Sequence, residues 1–204
     1  DAWQQIVDEQ KEWKFSQRTQ RRFFDHQVKP YLQEKTRVFV IISDALRYEC
    51  GVDVHHRILK ENRFESELDY HIASLPSYTQ LGMASLLPNS TLAISDSKDE
   101  VLLDGKSTQG TASREKLLRS NSGVQATTVL AEDLMKMASR SEEARSLVTG
   151  HDLIYVYHNR IDKVGDDKSS EEKVIEAARE EVEFLMELVR KISKGSRRCC
   201  GTRN

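Results

Sequence analysis

Two stretches of the chain share one pattern, a continuous run of apolar residues that ends abruptly in polar ones. The first is VFVIISDALRYE, in which the run 38–43 is followed by Asp44. The second is DLIYVYHN, at 152–159. Because neither run alternates between apolar and polar residues, both predict strands that are covered on their two faces, as in a parallel sheet.

Apolar residues at helical spacing fill much of the chain between and around these strands. Helices are predicted at 2–35 (one or two), at 46–60, near 79–88, at 111–120, as two pieces between 131 and 148, and from about 169 onward, where one apolar stripe runs from Val174 to Ile192. Further strands are predicted near 64–71, 91–95, 100–103 and 124–131.

This alternation of strands and helices predicts an α/β fold with a mostly parallel sheet covered by helices on both faces. Ligands bind such sheets at the carboxyl ends of the strands, so Asp44 and the loop 158–167 are expected at one edge. We expect three parts: amphipathic helices at 1–36 that pack on the core, an α/β core at 37–194, and a disordered or frameshifted tail at 195–204.

Composition and charge narrow the function. Lys plus Arg number 31 and Asp plus Glu number 33, so the net charge provides no field that would recruit nucleic acid or an anionic membrane. No apolar run reaches the roughly 18 residues of a membrane-spanning helix, and the first residues lack the apolar core of a signal peptide. We therefore expect a cytoplasmic protein. The three cysteines show no metal-ligand spacing.

Acidic residues follow both buried strands. Asp44 comes directly after the first, and Asp162, Asp166 and Asp167 come after the second. Two carboxylates about 4 Å apart repel by roughly 4 kcal/mol at an effective dielectric near 20, so three that converge need a counter-charge, which a divalent metal ion supplies. The alternatives are that Asp44 is only a helix cap and that the later acids form a solvated loop.

A threonine lies between these acidic segments, in LPSYTQLGMASLLP. Thr79 is predicted at the start of a helix, where a hydroxyl is most often a simple cap. A hydroxyl there that also meets a metal ion can lose its proton and attack a phosphorus or sulfur centre. Ser77, Tyr78 and Ser85 are competing hydroxyls that the residues alone do not exclude.

Other polar residues near the strand ends are candidates for substrate binding. His158 and Asn159 are placed to orient a substrate or a ligand, although a hydrogen-bonded loop histidine is an equal alternative for His158. Arg47 and Arg160 each lie a few residues from a predicted ligand and suit phosphate oxygens, unless they pair with neighbouring acids. DGKST, at 104–108, lacks the first glycine of a phosphate-binding loop and is predicted to be a polar turn.

Four segments, in order, resemble the PglZ domain, the phage-growth-limitation Z family of BREX antiphage systems: VIISDALRYE, LPSYTQLGMASLLP, LDGKSTQGTASREKLL and IYVYHNRIDKVGD. The resemblance covers roughly residues 37–190. It implies an alkaline-phosphatase-like core and the activity of that superfamily, the metal-dependent hydrolysis of phosphate and sulfate esters. It also implies that Asp44 is a metal ligand, that Thr79 is the metal-bound nucleophile, and that Asp162 and Asp166 are a further ligand pair.

The chain departs from the superfamily pattern in two respects. Asp166 stands where the superfamily has a histidine, and oxygen ligands favour Mg²⁺ or Mn²⁺ over Zn²⁺, so the identity of the metal stays open. No Asp-His-Gly motif follows Asp162. We therefore expect a C-terminally incomplete core that holds about half of the ligands of the family's two-metal site and binds metal weakly.

The resulting hypothesis is a fragment of a PglZ-type phosphoester hydrolase. Two divalent metal ions would activate Thr79 for attack on phosphorus, and water would hydrolyse the resulting phosphothreonine. One alternative is a metal-dependent nuclease or phosphodiesterase with DNA as its substrate, because two-metal sites serve both classes. The other is a non-catalytic scaffold subunit. The resemblance implies other BREX components as partners and no membrane.

Overall fold

The computed structural model describes residues 2–9, 18–95, 100–161 and 171–199. A 3₁₀ turn at Gln20–Arg22 and a π turn at Phe24–Val28 follow the first helix. The helices and strands, in chain order, are α1 (Ala2–Glu9), α2 (Lys29–Gln33), β1 (Val38–Ser43), α3 (Tyr48–Leu59), α4 (Thr79–Ser85), β2 (Leu92–Ile94), β3 (Val101–Leu103), β4 (Lys106–Ser107), α5 (Gly110–Asn121), β5 (Ala126–Leu130), α6 (Ala131–Lys136), α7 (Glu142–Thr149), β6 (Leu153–His158) and α8 (Glu171–Cys199).

The main sheet of the described chain is parallel, with the strand order β1, β6, β5. Its register places Val38 beside Leu153 and Ser43 beside His158. All six residues of β6 are buried, because this strand has a neighbour on each side and packed side chains on both faces. The two continuous apolar runs are therefore strands of one parallel sheet, as the sequence predicts, and the structure shows that they are direct neighbours in it.

Alternate residues of β6 face different layers. Leu153, Tyr155 and Tyr157 pack into a core with residues of the N-terminal segment, α4, the turn after it, and α5: Phe24, Val28, Met83, Leu87, Leu117 and Leu118. Ile154 and Val156 pack into a second core with residues of α6 and α8: Ala131, Leu134, Leu185 and Leu188. Helices thus cover both faces, which confirms the predicted α/β class.

A small antiparallel sheet joins β2, β3 and β4. Asp104 and Gly105 form the turn between β3 and β4, with φ angles of 50° and 77°. The Asp104 carboxylate accepts hydrogen bonds from the backbone N–H groups of Thr91 at 2.7 Å and Ser90 at 3.2 Å, which lower the pKa of this carboxyl. The DGKST stretch is therefore part of a hairpin, in agreement with the predicted polar turn.

The strand predicted at 64–71 is wrong. Leu68 and Tyr70 are 37% and 57% exposed, so the apolar side of the alternation is not buried. The one bridge recorded beside this segment pairs Thr19 with Ile72. The segment lies at the surface, where Asp69 forms an ion pair with Arg18. Its alternation of apolar and polar residues resembles that of a strand, but residues 64–71 do not form one.

Both ends of the chain differ in detail from the sequence prediction. The predicted helical region 2–35 is divided, because α1 ends at Glu9 and, in the described residues from 18 onward, short turns precede α2. At the other end, α8 continues to Cys199, within the segment 195–204 that was expected to be a tail. The division of the chain into three parts stays a prediction.

Each helix in the described part of the chain is too short or too polar to cross a bilayer.

A hydrogen bond from the central strand fixes the C-terminal end of α4. The hydroxyl of Tyr155, which is fully buried, donates to the carbonyl of Leu86 at 2.7 Å. Two positions further along the strand, the hydroxyl of Tyr157 is also buried but has no hydrogen-bond partner in the described part of the chain.

We expect Tyr155→Phe to lower the free energy of unfolding by about 1–2 kcal/mol, because it leaves the Leu86 carbonyl without a partner. Tyr157→Phe is the matched control, since it removes a hydroxyl of the same strand that has no partner to lose. Urea unfolding followed by circular dichroism measures both. Equal midpoints for the two variants would contradict the importance of the hydrogen bond to Leu86.

Candidate functional site

The turn after β1 is anchored to the neighbouring strand. The backbone N–H of Asp44 donates to the carbonyl of His158 at 2.9 Å, which extends the pairing of β1 with β6 by one residue. Ala45 then adopts a φ of 59°, a left-handed conformation that costs an L-residue about 1–2 kcal/mol. The Oδ1 atom of Asp44 accepts a hydrogen bond from the Ala45 N–H at 3.0 Å. The chain therefore leaves the sheet immediately after Asp44, in a conformation held by its surroundings.

Asp44 and Thr79 line one cavity. Its volume is about 440 Å³, and it lies between the end of β1, the segment 73–78 and the first turns of α4. Thr79 is the first residue of α4 and is exposed. The fold thus brings an acid and a hydroxyl from separate segments to the same opening at the carboxyl edge of the sheet.

The competing hydroxyls have different surroundings. Ser85 is completely buried, where its Oγ lies 2.6 Å from the Oγ of Ser74 and donates to the carbonyl of Leu81 at 2.7 Å. Ser77 and Tyr78 line the same cavity as Thr79. Geometry therefore separates Ser85 from the cavity and leaves Ser77 and Tyr78 as neighbours of the predicted nucleophile.

The predicted metal ligands are described only in part. Asp162 and Asp166 lie outside the described residues. Among the residues that are described, no group of three or more His, Cys, Asp or Glu side chains is arranged to hold a metal ion. The donors that line the cavity, the Asp44 carboxylate and the Thr79 hydroxyl, are oxygens, which suit hard ions such as Mg²⁺ and Mn²⁺. Their chemistry fits the expected metal, but the described residues provide only part of a ligand set.

Beneath the Asp44 turn lies a buried cluster of polar side chains. Glu181 of α8 is completely buried. Its Oε1 accepts a hydrogen bond from the Oγ of Ser43 at 2.6 Å and lies 2.7 Å from Nδ1 of His158. The other ring nitrogen of His158, Nε2, lies 3.3 Å from Oε1 of Glu132, and the imidazole stacks on Phe184 with ring centroids 4.4 Å apart.

The carboxylate of Glu181 therefore joins the ends of β1 and β6. Ser43 immediately precedes Asp44, and the carbonyl of His158 holds the Asp44 N–H. The contacts with Ser43 and His158 both involve Oε1, and Oε2 is buried without a hydrogen-bond partner in the described part of the chain. Glu181 is thus a residue that positions Asp44 without lining the cavity itself.

The four residues predicted to bind substrate are not among the described residues that line the Asp44–Thr79 cavity. His158 is 4% exposed, with both ring nitrogens against carboxylates, and Asn159 is exposed. Arg160 forms an ion pair with Glu180. Arg47 is exposed and lines a neighbouring cavity of about 630 Å³ between α3 and α8. Their binding to a substrate stays a prediction.

Sequence reasoning missed Glu181, although the chain contains a signal for it. The residue falls within the apolar stripe of α8, three positions after Ala178 and four before Leu185. A charged residue on the buried side of a helix requires a partner in the interior. The pattern therefore indicates a buried polar contact, whereas the identity of that contact depends on the fold.

Comparison with known proteins gives one family match. The model of the BREX system PglZ alkaline phosphatase-like domain matches residues 23–197. The alkaline phosphatase-like protein BrxZ of Escherichia coli O9:H4 (strain HS) is 42% identical over 176 residues, and the alkaline phosphatase-like protein PglZ of Bacillus cereus (strain H3081.97) is 32% identical over 171. The matches cover 85% and 84% of this chain but 20% of each relative. No solved structure matches the chain significantly.

We expect Glu181→Ala to lower the free energy of unfolding by about 3 kcal/mol, because it removes the buried carboxylate that holds Ser43 and His158. Glu180→Ala is the matched control on the same helix, since Glu180 is half exposed and forms an ion pair with Arg160 at the surface. Glu181→Gln keeps an oxygen that can accept the hydrogen bond from Ser43. Its loss of unfolding free energy should therefore lie between those of Glu180→Ala and Glu181→Ala. Denaturant unfolding measures all three variants, and equal effects at positions 180 and 181 would contradict the buried role of Glu181.

Proposed function

This chain belongs to the PglZ family of BREX alkaline phosphatase-like domains, and on that premise we propose that it carries the nucleophile and a metal ligand of a metal-dependent phosphoester hydrolase. The observation that supports this most directly is the shared cavity of Asp44 and Thr79. The chain spans about one fifth of the length of the curated relatives that it matches. The activity, substrate and partners of the whole protein are therefore part of the proposal.

In the proposed reaction, the Oγ1 of Thr79 forms a bond to phosphorus while the bond from phosphorus to the leaving oxygen breaks. The hydroxyl proton passes to solvent, the leaving group departs as an alcohol after it takes up a proton from water, and water then hydrolyses the phosphothreonine, which releases the phosphate and regenerates the Thr79 hydroxyl. Divalent metal ions, when bound, would supply the positive charge that a phosphoryl group requires. Asp44, with Asp162 and Asp166, would hold them.

The position of Thr79 favours this role over those of its neighbours. It lies on the same cavity as Asp44, is exposed, and starts a helix whose far end is fixed by Tyr155. A nucleophile needs this combination of access and a fixed backbone, because misplacement by about 1 Å can cost on the order of 100-fold in rate. Ser77 and Tyr78 share the cavity but precede the helix.

We propose other BREX components as the partners of this chain, from its membership of the family. Hydrolysis of a small phosphate ester would favour a phosphatase, whereas hydrolysis of a DNA phosphodiester would favour a nuclease. Activity on neither substrate would favour a non-catalytic scaffold subunit.

We expect Asp44→Ala and Thr79→Ala each to reduce hydrolysis by on the order of 10³-fold or more, because one removes a proposed ligand and the other the attacking atom. The protein expressed from its full natural reading frame is assayed on a chromogenic phosphate monoester, a chromogenic diester and DNA, with Mg²⁺, Mn²⁺ or Zn²⁺. Mass spectrometry of the quenched reaction tests for phosphate on Thr79.

Ser77→Ala is the matched control for the loss of a cavity hydroxyl, and it should retain activity. Calorimetric titration with Mn²⁺ gives a readout apart from turnover, in which Asp44→Ala weakens binding and Ser77→Ala does not. Undiminished hydrolysis in both Asp44→Ala and Thr79→Ala would remove the assignment. If Ser77→Ala lost activity and Thr79→Ala did not, Ser77 would be assigned as the nucleophile instead of Thr79.

A further inference from the structure

One arginine of α5 lies over an aromatic ring of the central strand. The guanidinium carbon of Arg114 is 4.9 Å from the ring centroid of Tyr157. A planar guanidinium on an aromatic face is held in orientation by cation–π attraction and by stacking. Arg114 belongs to the LDGKSTQGTASREKLL segment, whose polar residues have no part in the site described above.

Both partners of this contact have polar atoms without a hydrogen bond. The Nε of Arg114 and the hydroxyl of Tyr157 are each buried and have no acceptor or donor among the described residues. Tyr157 is 5% exposed. The next residue of α5, Glu115, is already engaged by Thr127 at 3.0 Å and Arg119 at 2.7 Å. In the described part of the chain, Arg114 thus contacts the ring of Tyr157 but forms no ion pair with an acidic side chain.

The pair lies on the side of the sheet that carries the Asp44–Thr79 cavity. Tyr157 is beside Ile42 in the register of β6 with β1. Residues paired in this way in a parallel sheet project to the same face. Tyr157, Ile42 and Met83 pack in one core cluster, and the last two also line the cavity. Arg114 thus approaches the carboxyl edge of the sheet from the same face as α4.

The chemistry of the two groups indicates an oxyanion. Arginine presents several N–H donors in a plane that matches two oxygens of a phosphate. Burial raises the pKa of Tyr157 to about 12, so its phenol stays protonated and can donate at neutral pH. An oxyanion would supply the acceptors that these two buried donors lack in the described part of the chain.

We propose that Arg114, oriented by the ring of Tyr157, binds a phosphate oxygen of the substrate. This inference rests on the proposed function and assigns the phosphate contact to α5. The alternative is that an acidic residue of this chain outside the described part pairs with Arg114. In that case the arginine would stabilise the fold and would leave phosphate binding unchanged.

The test measures binding of inorganic phosphate to the protein from its full natural reading frame, by calorimetry and by competitive inhibition of hydrolysis. We expect Arg114→Met to weaken phosphate binding by about 10-fold or more, as loss of a charge-assisted hydrogen bond does. The phosphate affinity of Arg114→Lys should lie between those of Arg114→Met and the unchanged protein, because lysine keeps the charge but loses the planar, bidentate group. This variant replaces Arg114→Met in the test if Arg114→Met does not fold. Tyr157→Phe keeps the ring and should weaken binding only several-fold.

Arg119→Met is the matched control, because Arg119 lies on the same helix and its charge is paired with Glu115. It should bind phosphate like the unchanged protein. Binding by Arg114→Met within twofold of the unchanged protein would overturn the proposal, as would an unchanged protein that does not bind phosphate. Thr79→Ala separates the two proposals: it should bind phosphate normally without turnover, whereas turnover by this variant would reject the nucleophile and leave the Arg114 result standing.

Discussion

The parallel pairing of β1 with β6 is the constraint on which the carboxyl edge of the sheet depends. Its register places Ser43 beside His158 and lets the Asp44 N–H continue the ladder onto the His158 carbonyl. Both strands are packed on each face, so a shift of one residue would place side chains of a different size against each core and would disrupt the close packing of the interior. The Asp44 turn is therefore located by the core, and Glu181 adds a side-chain link across the same two strand ends.

The second side of the site depends on α4, which has only seven residues. A helix this short has little stability of its own and is ordered by its contacts. The inner face of α4 is buried and consists of Leu81, Met83 and Ala84. The hydroxyl of Tyr155 donates to the carbonyl of Leu86, directly after the last turn of the helix. Thr79 can be exposed at the cavity because the rest of α4 is fixed. The strand that orders the Asp44 turn thus also orders the helix that carries Thr79.

The sequence predicts the elements whose pattern depends on burial from both sides. Strands β1 and β6 were recognisable because a short, continuous apolar run beside polar residues is typical of a strand covered on both faces. Helix α8 was recognisable because its apolar stripe is long. The strand predicted at 64–71 was wrong, because alternation shows only that one side of an extended segment would be apolar. The existence of a neighbouring strand is a long-range property that a local pattern does not contain.

The site was predictable to a smaller extent. Asp44 and Thr79 were found from their positions at element ends and from a family resemblance, and they line one cavity. Glu181 and Arg114 were missed because their roles depend on how two helices are rotated against the sheet. In each case polar atoms of a charged side chain are buried, and the residues that they contact are known only from the packed structure.

The contact between Ser43 and Glu181 spans 138 positions of the chain. When the three described strands of the parallel sheet have been synthesised, Glu181, which joins the ends of two of them, has not. The order of synthesis thus places the side-chain link to the Asp44 turn after the synthesis of both strands that it joins. A nascent chain released before α8 would contain the acid and the threonine but would lack the brace that holds them in place.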